Sequence, residues 1–290
     1  MVAESADTEN ELEIVKELSR VSDETRIAVS ETGWTSRVYV VDGGKIVFKF
    51  PRNEEFREDC GKEVAVLEVL KKHRFDIKVP VLNWTTEDNR YFGFYGVEGK
   101  PLKCVIDILS DKEKRDIGTQ LGGFLKQLHR VTDCRSISAQ TLEEQAADYT
   151  DMYHAGRIAL EAFLSESELE AIDDFFTHKV AECMTGAGEL VFCHGDLDYN
   201  NTLVDDANRA GVIDFGDAGL YDRSQDFRGM EDQTLRLAMM EAYGRGEIIS
   251  LEASEATAKM IDVLNLLYLI KNKSTKERDE CIERIRKSFR

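Results

Sequence analysis

Proline and tryptophan are scarce in this chain, and no stretch of it is both long and apolar. Its 290 residues include three prolines and two tryptophans, so the turns must depend mainly on glycine and small polar residues. No apolar run approaches the ~18 residues that a membrane span requires. The acidic segment Met1 to Arg20 also lacks the apolar run of a secretory signal. We therefore expect a cytoplasmic protein without a membrane partner.

Cysteine is present, but its pattern predicts no function. The six cysteines lie at positions 60, 104, 134, 183, 193 and 281. Their spacing is not typical of a zinc site or of a disulfide framework. We expect reduced thiols, most of them in the hydrophobic core.

Basic residues are outnumbered by acidic ones. The 38 Lys and Arg residues compare with 56 Asp and Glu residues, which gives a formal net charge of −18 at pH 7. Part of this excess is local, because residues 189–232 contain eleven acidic and three basic residues. A strongly negative protein repels nucleic acids and attracts cations. The charge argues against a nucleic-acid partner and favours a cationic small molecule.

Short β-type runs and one helix dominate the first third of the chain. The turn Asp42-Gly43-Gly44 stands between two β-branched runs, which predicts a hairpin. We expect a small antiparallel sheet with a helix packed on it. The predicted elements are a helix at residues 10–20, strands at 26–29, 38–41, 46–50, 79–82 and 91–97, and a helix at 60–73.

The remainder of the chain is mainly helical in pattern. Ser110 with Glu113, and Ser165 with Glu168, have the spacing of capping boxes at helix starts. The chain therefore has an α+β pattern that divides into residues 1–97 and 98–290. Three predicted helices begin near 110, 142 and 165, and the third of them ends near 184. Three more helices are predicted at 225–244, 254–272 and 275–289. Short strands are expected at 190–193, 202–204 and 212–215.

The stretch from residue 190 to 217 carries the strongest functional signal. His194-Gly195-Asp196 is followed by Asn201, and Ile213-Asp214-Phe215-Gly216-Asp217 comes after the next two apolar runs. One acid that can accept a hydroxyl proton, with an Asn and an Asp that can hold Mg²⁺, is the chemistry of phosphoryl transfer.

These two motifs, in this order and spacing, resemble those of the aminoglycoside phosphotransferases, a family related to the protein kinases. The resemblance implies a bilobal protein-kinase-like fold and a Mg²⁺-dependent transfer of the γ-phosphoryl group of ATP or GTP to a hydroxyl. It implies Asp196 as the catalytic base. Asn201 and Asp214 would hold the metal.

The same resemblance implies a nucleotide site in the first lobe. Lys49 would contact the α- and β-phosphates and pair with a glutamate of the following helix. Glu63 matches the family pattern better, and Glu68 remains an alternative. The loop at 30–36 would cover the phosphates, and residues 94–97 would bind the purine. The implied nucleotide-binding residues are Ser30, Lys49, Glu63, Phe94, Tyr95, Val97 and Ile213.

Three residues have supporting roles in this interpretation. His194 would support the catalytic loop, and His129 would be structural. Asp226 matches a family position that braces the catalytic loop. An aspartate at this place in the sequence is equally well explained as the cap of the helix predicted at 225–244.

The acceptor is the least constrained feature. Segments at 48–52, 93–102, 213–217, 226–227 and 230–232 resemble those of aminoglycoside 2''-phosphotransferases most. Two features differ, because this chain has Gly195 where that subgroup has Asn, and it has no Trp between residues 262 and 275. Aminoglycosides are polycations that carboxylates can bind. The predicted substrate-binding carboxylates are Asp196, Asp198, Asp217, Glu231 and Asp232.

Other functions stay open at this point. The acceptor can be another hydroxylated molecule of the macrolide, sugar, choline or homoserine type. A protein kinase is less consistent, because Asp198 stands where those enzymes usually have Lys, and no Ala-Pro-Glu segment separates Asp214 from Asp226. A non-catalytic nucleotide-binding scaffold would be expected to lack one of the motif residues. We expect a monomer.

Overall fold

An antiparallel sheet of five strands forms most of the first lobe in the computed structural model. The structure describes residues 2–31, 35–134, 140–185, 190–244, 249, 251–271 and 275–289. The strand order is β1-β2-β3-β5-β4. The elements are α1 (Val2–Ser19), β1 (Ile27–Ser30), β2 (Ser36–Val41), β3 (Ile46–Pro51), α2 (Arg57–Leu70), β4 (Val81–Thr85) and β5 (Phe92–Tyr95).

The predicted hairpin joins β2 and β3. Asp42 and Gly43 both have positive φ, 51° and 67°, a conformation that Gly and Asp adopt more readily than other residues. The two faces of the sheet are covered by different helices. Val15 of α1 packs with Phe48 in one cluster, while Leu67 of α2 packs with Phe92 in another. The sheet therefore lies between α1 and α2.

The second lobe consists of helices around short strands. In β6-β8-β9 the strands pair antiparallel, and β10 pairs antiparallel with β7. The elements are β6 (Lys100–Pro101), α3 (Asp111–Leu128), α4 (Leu142–Leu160), α5 (Glu166–His178), α6 (Val180–Thr185), β7 (Val191–Cys193), β8 (Thr202–Val204), β9 (Ala210–Val212), β10 (Gly219–Tyr221), α7 (Gln233–Tyr243), α8 (Leu251–Lys271) and α9 (Lys276–Ser288).

Close packing of α3 against α7 forms the centre of this lobe. A Cβ atom on Gly118 would lie 2.3 Å from the Leu235 carbonyl oxygen, and one on Gly122 would lie 2.1 Å from that of Met239. Only glycine allows this approach of the two backbones. Both predicted capping boxes are present, at Ser110 and Ser165.

Several predicted boundaries were wrong. The helix expected at 225–244 is a 3₁₀ helix at Arg223–Phe227 followed by α7, and the helix expected to continue to 184 is divided into α5 and α6. The strand expected at 212–215 ends at Val212. At 212–215 and 225–244 tertiary contacts outweigh the local apolar pattern, since Phe215 and Phe227 are fully buried without belonging to a strand or an α-helix.

The cysteines agree with the prediction of free thiols. All six lie in described positions, and none forms a disulfide. Cys60, Cys134, Cys193 and Cys281 are buried, whereas Cys104 is exposed. Among the helices at the described positions, none has the length and apolar character needed to cross a bilayer.

Candidate active site

The loop between β7 and β8 has a tight, specific conformation. Gly195 has φ +85°, and a Cβ atom there would lie 2.1 Å from the Asp217 carbonyl oxygen, so this position requires glycine. The Asp198 carboxylate accepts hydrogen bonds from the backbone N–H groups of Asn200 (2.8 Å) and Asn201 (2.9 Å). As a result the loop doubles back, and Asn201 faces Asp196.

Asn201 and Asp214 offer oxygen ligands suited to Mg²⁺. Asn201 Nδ2 donates to Asp196 O (2.8 Å) and Asp196 Oδ2 (3.1 Å), which leaves Asn201 Oδ1 for a cation. The Ile213 N–H donates to the Asn201 carbonyl at 2.9 Å, so Asp214 follows directly beside this loop. Asp214 has φ +66°, and its side chain is half exposed. An amide and a carboxylate oxygen are the hard ligands that Mg²⁺ prefers.

Lys49 joins the first lobe to this centre. Its Nζ atom lies 2.8 Å from both Glu63 carboxylate oxygens and 2.9 Å from Asp214 Oδ1. The Lys49 side chain is 11% exposed and that of Glu63 8%. Glu68 is exposed, so the structure selects Glu63 as the partner of Lys49. Burial by itself would lower the pKa of Lys49, but the carboxylates of Glu63 and Asp214 raise it, and the ammonium stays charged.

Asp226 braces the loop between β7 and β8. Its buried carboxylate accepts hydrogen bonds from the backbone N–H groups of His194 (2.8 Å) and Gly195 (2.9 Å), and contacts His129 Nε2 at 3.0 Å. Tyr243 OH lies 2.9 Å from the other ring nitrogen of His129. Asp226 lies within the 3₁₀ helix and caps no helix, since Asp222 is the cap there. Of the two interpretations of Asp226, the brace is therefore the one the structure supports.

Sequence reasoning missed Arg228. Its Nη2 atom donates to the Gly195 carbonyl (3.0 Å) and to Asp196 Oδ1 (3.1 Å). The only sequence signal was a cation two residues after Asp226 in an otherwise acidic region, which is too little to place it beside Asp196.

Some of the predicted substrate carboxylates are exposed, whereas others already accept hydrogen bonds from protein groups. Asp217 is exposed, yet nearby protein atoms desolvate its carboxyl group and raise its pKa, and the charges of Asp196 and Asp214 raise it further. Glu231 is exposed. Asp232 instead caps α7 through the Leu235 N–H (3.0 Å) and pairs with Lys114 Nζ at 2.8 Å. Both Asp232 oxygens, like the Asp198 carboxylate, already have protein partners.

The remaining predicted nucleotide residues belong to both lobes, because Ser30, Phe94, Tyr95 and Val97 lie in the first lobe and Ile213 follows β9 in the second. Phe94 is buried, Tyr95 is 49% exposed, and Val97 is 5% exposed. Ser30 ends β1 opposite Val38, and residues 32–34 of the predicted phosphate loop lie outside the described part of the chain. Ile213 accepts a hydrogen bond through its carbonyl oxygen from His194 Nε2 at 2.9 Å; this contact ties the two motifs together.

Comparison with known proteins gives one family. The family model described as the phosphotransferase enzyme family (APH) matches residues 27–249. This range includes both motifs, Lys49 and α2.

Solved structures with the same fold include aminoglycoside and macrolide phosphotransferases. The GDP complex of wild-type aminoglycoside 2'-phosphotransferase-IIIa is 18% identical, with a TM-score of 0.80 over 96% of this chain and 97% of that chain. The gentamicin-APH(2")-IIa complex is 18% identical, with a TM-score of 0.73 over 95% of both chains. Macrolide 2'-phosphotransferase from Brachybacterium faecium, as apoenzyme, is 19% identical, with a TM-score of 0.67 over 94% of this chain and 97% of that chain. At these identities the likeness establishes the kinase-like fold.

Proposed function

The chain belongs to the phosphotransferase enzyme family, and we propose that it transfers the γ-phosphoryl group of ATP or GTP to a hydroxyl of an aminoglycoside. The resemblance seen in the sequence motifs is thereby confirmed at the level of the family. In this proposal residues 1–97 form the nucleotide-binding lobe and residues 98–290 the catalytic and acceptor-binding lobe.

The observation that supports phosphoryl transfer is the grouping of four side chains through two contacts. Lys49 Nζ contacts Asp214 Oδ1 at 2.9 Å, and Asn201 Nδ2 contacts Asp196 Oδ2 at 3.1 Å. A cation for the nucleotide phosphates, two hard-oxygen ligands and a candidate base therefore lie side by side. Phosphoryl transfer depends mostly on such positioning and charge neutralisation.

The roles of the residues follow from these positions. Asp196 orients the acceptor hydroxyl and takes its proton while the new O–P bond forms. The bond between the γ-phosphorus and its bridging oxygen breaks, and the nucleoside diphosphate leaves. Asn201 and Asp214 would hold Mg²⁺, which when bound neutralises phosphate charge. Lys49 binds the phosphates, and Glu63 orients Lys49.

The nucleotide base would lie against residues 94–97. Backbone groups of Tyr95 and Val97 bind the purine edge in this proposal, with Phe94 as one wall and Ile213 below. Ser30 belongs to the segment that covers the phosphates. Backbone groups can bind the edge of either purine, so the proposed site is compatible with both ATP and GTP. The screen below measures which of the two is the phosphoryl donor.

The negative region around the motifs supports a cationic acceptor. Asp217 lies near Asp196, and both Asp217 and Glu231 are exposed, so their carboxylates are accessible to ammonium groups. Each partly desolvated ammonium–carboxylate hydrogen bond contributes roughly 1.5–3 kcal/mol. Asp198 and Asp232 would contribute mainly long-range charge, because their oxygens already accept protein hydrogen bonds.

A macrolide is the second candidate acceptor. The specific observation is the likeness to macrolide 2'-phosphotransferase over 94% of this chain. Either acceptor is a small molecule, and the net charge of −18 is unsuited to nucleic acid. We propose a monomer in the cytoplasm, where nucleoside triphosphates are made.

A screen of nucleotide consumption tests the proposal directly. ATP and GTP would each be combined with kanamycin-, gentamicin- and neomycin-type acceptors, macrolides, choline and homoserine. We expect turnover with at least one aminoglycoside and a phosphorylated product by mass spectrometry. Turnover confined to neutral or anionic acceptors would overturn the cationic-acceptor proposal, while turnover confined to macrolides would select the second candidate.

A further inference from the structure

We propose that Arg228 is a positioning residue that holds the Asp196 carboxylate in the orientation in which it receives the acceptor hydroxyl. This role rests on the proposed function, because it acts through the base assigned there. The evidence is the contact of Arg228 Nη2 with Asp196 Oδ1 at 3.1 Å. The two side chains differ in exposure, since Arg228 is 16% exposed and Asp196 is 44% exposed.

The two oxygens of Asp196 are held from opposite sides. Arg228 donates to Oδ1, and Asn201 Nδ2 donates to Oδ2, also at 3.1 Å. Two donors on the two oxygens restrict rotation of the carboxylate about its Cβ–Cγ bond. Each carboxylate oxygen has a second lone pair, so the hydroxyl proton can still be accepted. Asn201 therefore supplies one half of the restraint and Arg228 the other.

Arg228 is itself held in place by its own segment. The Gly195 carbonyl that accepts from Arg228 also accepts from Gln225 Nε2 at 2.9 Å. Asp226 binds the backbone on the other side of the same loop. At Gly229 a Cβ atom would lie 2.2 Å from the Leu197 carbonyl oxygen, so the backbones are in direct contact just after Arg228. The backbone from which the Arg228 side chain extends is therefore fixed relative to the loop that carries Asp196, which favours a positioning role.

A direct role on the phosphoryl group is the competing explanation for Arg228. An arginine that stabilised transition-state charge would act independently of Asp196. A positioning residue would lose its effect when Asp196 can no longer act as a base. The two roles therefore differ in a double-mutant cycle.

The test compares Arg228→Met and Arg228→Lys in the wild-type and Asp196→Asn backgrounds. The 290-residue chain is assayed with the acceptor that gives turnover in the screen, kanamycin in the aminoglycoside case. Arg236→Met is the matched control, because Arg236 is 17% exposed and pairs with Glu255. A misplaced catalytic group can cost about 100-fold, so we expect Arg228→Met to lower kcat by about 10- to 100-fold. The KM for nucleotide should stay unchanged.

Arg228→Lys should give an intermediate kcat, because one ammonium can still donate to Asp196. In the Asp196→Asn background, Arg228→Met should change the residual rate by less than about twofold. An equal loss in both backgrounds would overturn the positioning role and favour direct contact with phosphate. Wild-type kcat in Arg228→Met would also overturn it.

Folding and the proposed function are checked separately. If Arg228→Met does not fold, Arg228→Lys is used instead, provided that its melting temperature equals that of the wild type. A kcat equal to wild type in Arg228→Lys would then overturn the proposal. Failure of the proposed function has a different signature. It would appear as absence of turnover in the wild-type protein or as full activity of Asp196→Asn, neither of which depends on Arg228.

Discussion

Lys49 and Asp214 are 165 positions apart in the chain, and Lys49 Nζ donates to Asp214 Oδ1 at 2.9 Å. This contact joins β3 of the first lobe to the segment that follows β9 of the second. The positive charge of Lys49 lowers the pKa of Asp214, so the carboxylate stays ionised and available to a cation. Nucleotide phosphates and metal would therefore meet at the boundary between the lobes.

Asp196→Asn should abolish most activity and leave the nucleotide site intact. Loss of a general base costs roughly 10²–10⁴ in rate, and Asp196 makes no contact with Lys49 or Glu63 at the described positions. Single-turnover rates and nucleotide Kd would be measured beside Asp206→Asn, an exposed control in the turn before β9. A single-turnover rate within a few-fold of wild type would remove Asp196 from the role of base.

Asp214→Asn should raise the Mg²⁺ concentration needed for half-maximal activity, as well as lower the rate. The change removes a charged ligand from a hard cation and also removes one acceptor from Lys49. Activity would be titrated with Mg²⁺ at fixed nucleotide. An unchanged Mg²⁺ dependence would place the metal on other residues.

Glu63→Gln and Glu68→Gln form a matched pair on α2. Glu63 lies against buried Lys49, whereas Glu68 is exposed. Breaking one side of a buried ion pair costs about 3–5 kcal/mol, and the remaining contact with Asp214 should reduce this loss. We expect Glu63→Gln to raise the nucleotide KM and lower the melting temperature. Glu68→Gln should match wild type in both measurements, and equal effects of the two changes would contradict the pairing.

Asp226 should make folding stability sensitive to acid. Burial would raise the pKa of its carboxyl group, but hydrogen bonds from His129 and from the His194 backbone outweigh it and hold the pKa below the ordinary value of 3.8. A carboxyl group with a lowered folded-state pKa stabilises the fold fully above its unfolded pKa. That contribution is lost as pH falls below about 3.8 through the folded-state pKa.

Urea unfolding between pH 3 and pH 7 would measure this effect. We expect Asp226→Asn to be less stable than wild type at pH 7, and the difference to shrink toward pH 3. A difference that stays constant over this range would assign the effect of the substitution to packing instead of to the carboxylate charge.

Glu231→Gln and Asp232→Ala should separate acceptor binding from helix capping. Glu231 is exposed, so its amide should raise the KM for a cationic acceptor more than it lowers kcat. Asp232 caps α7 and pairs with Lys114, so its replacement by Ala should lower stability by about 1 kcal/mol. Kinetics with an aminoglycoside and thermal unfolding would be compared for both variants. An unchanged acceptor KM in Glu231→Gln would exclude that side chain from the acceptor site.

Much of the fold and the central motifs could be predicted because their signals are local. The hairpin at Asp42-Gly43 and the capping boxes at Ser110 and Ser165 depend on residues within four positions of one another. Helical and strand periodicity then identified most elements to within a few residues. The order of His194-Gly195-Asp196, Asn201 and Asp214 identified the family for the same reason, since that spacing is read directly from the chain.

Features of the site that depend on contacts between distant residues were decided by the tertiary structure. The family resemblance favoured Glu63 over Glu68, but only the structure shows which face of α2 meets Lys49 of β3. The brace at Asp226 and the contact of Arg228 with Asp196 span about thirty positions. Phe227, which stands between these two residues in the chain, is buried in the core. Local propensity is weak compared with such burial. The sequence by itself determined the family and its motifs. Only the folded chain decided which side chains hold the motif residues in place, because those contacts join distant parts of the chain.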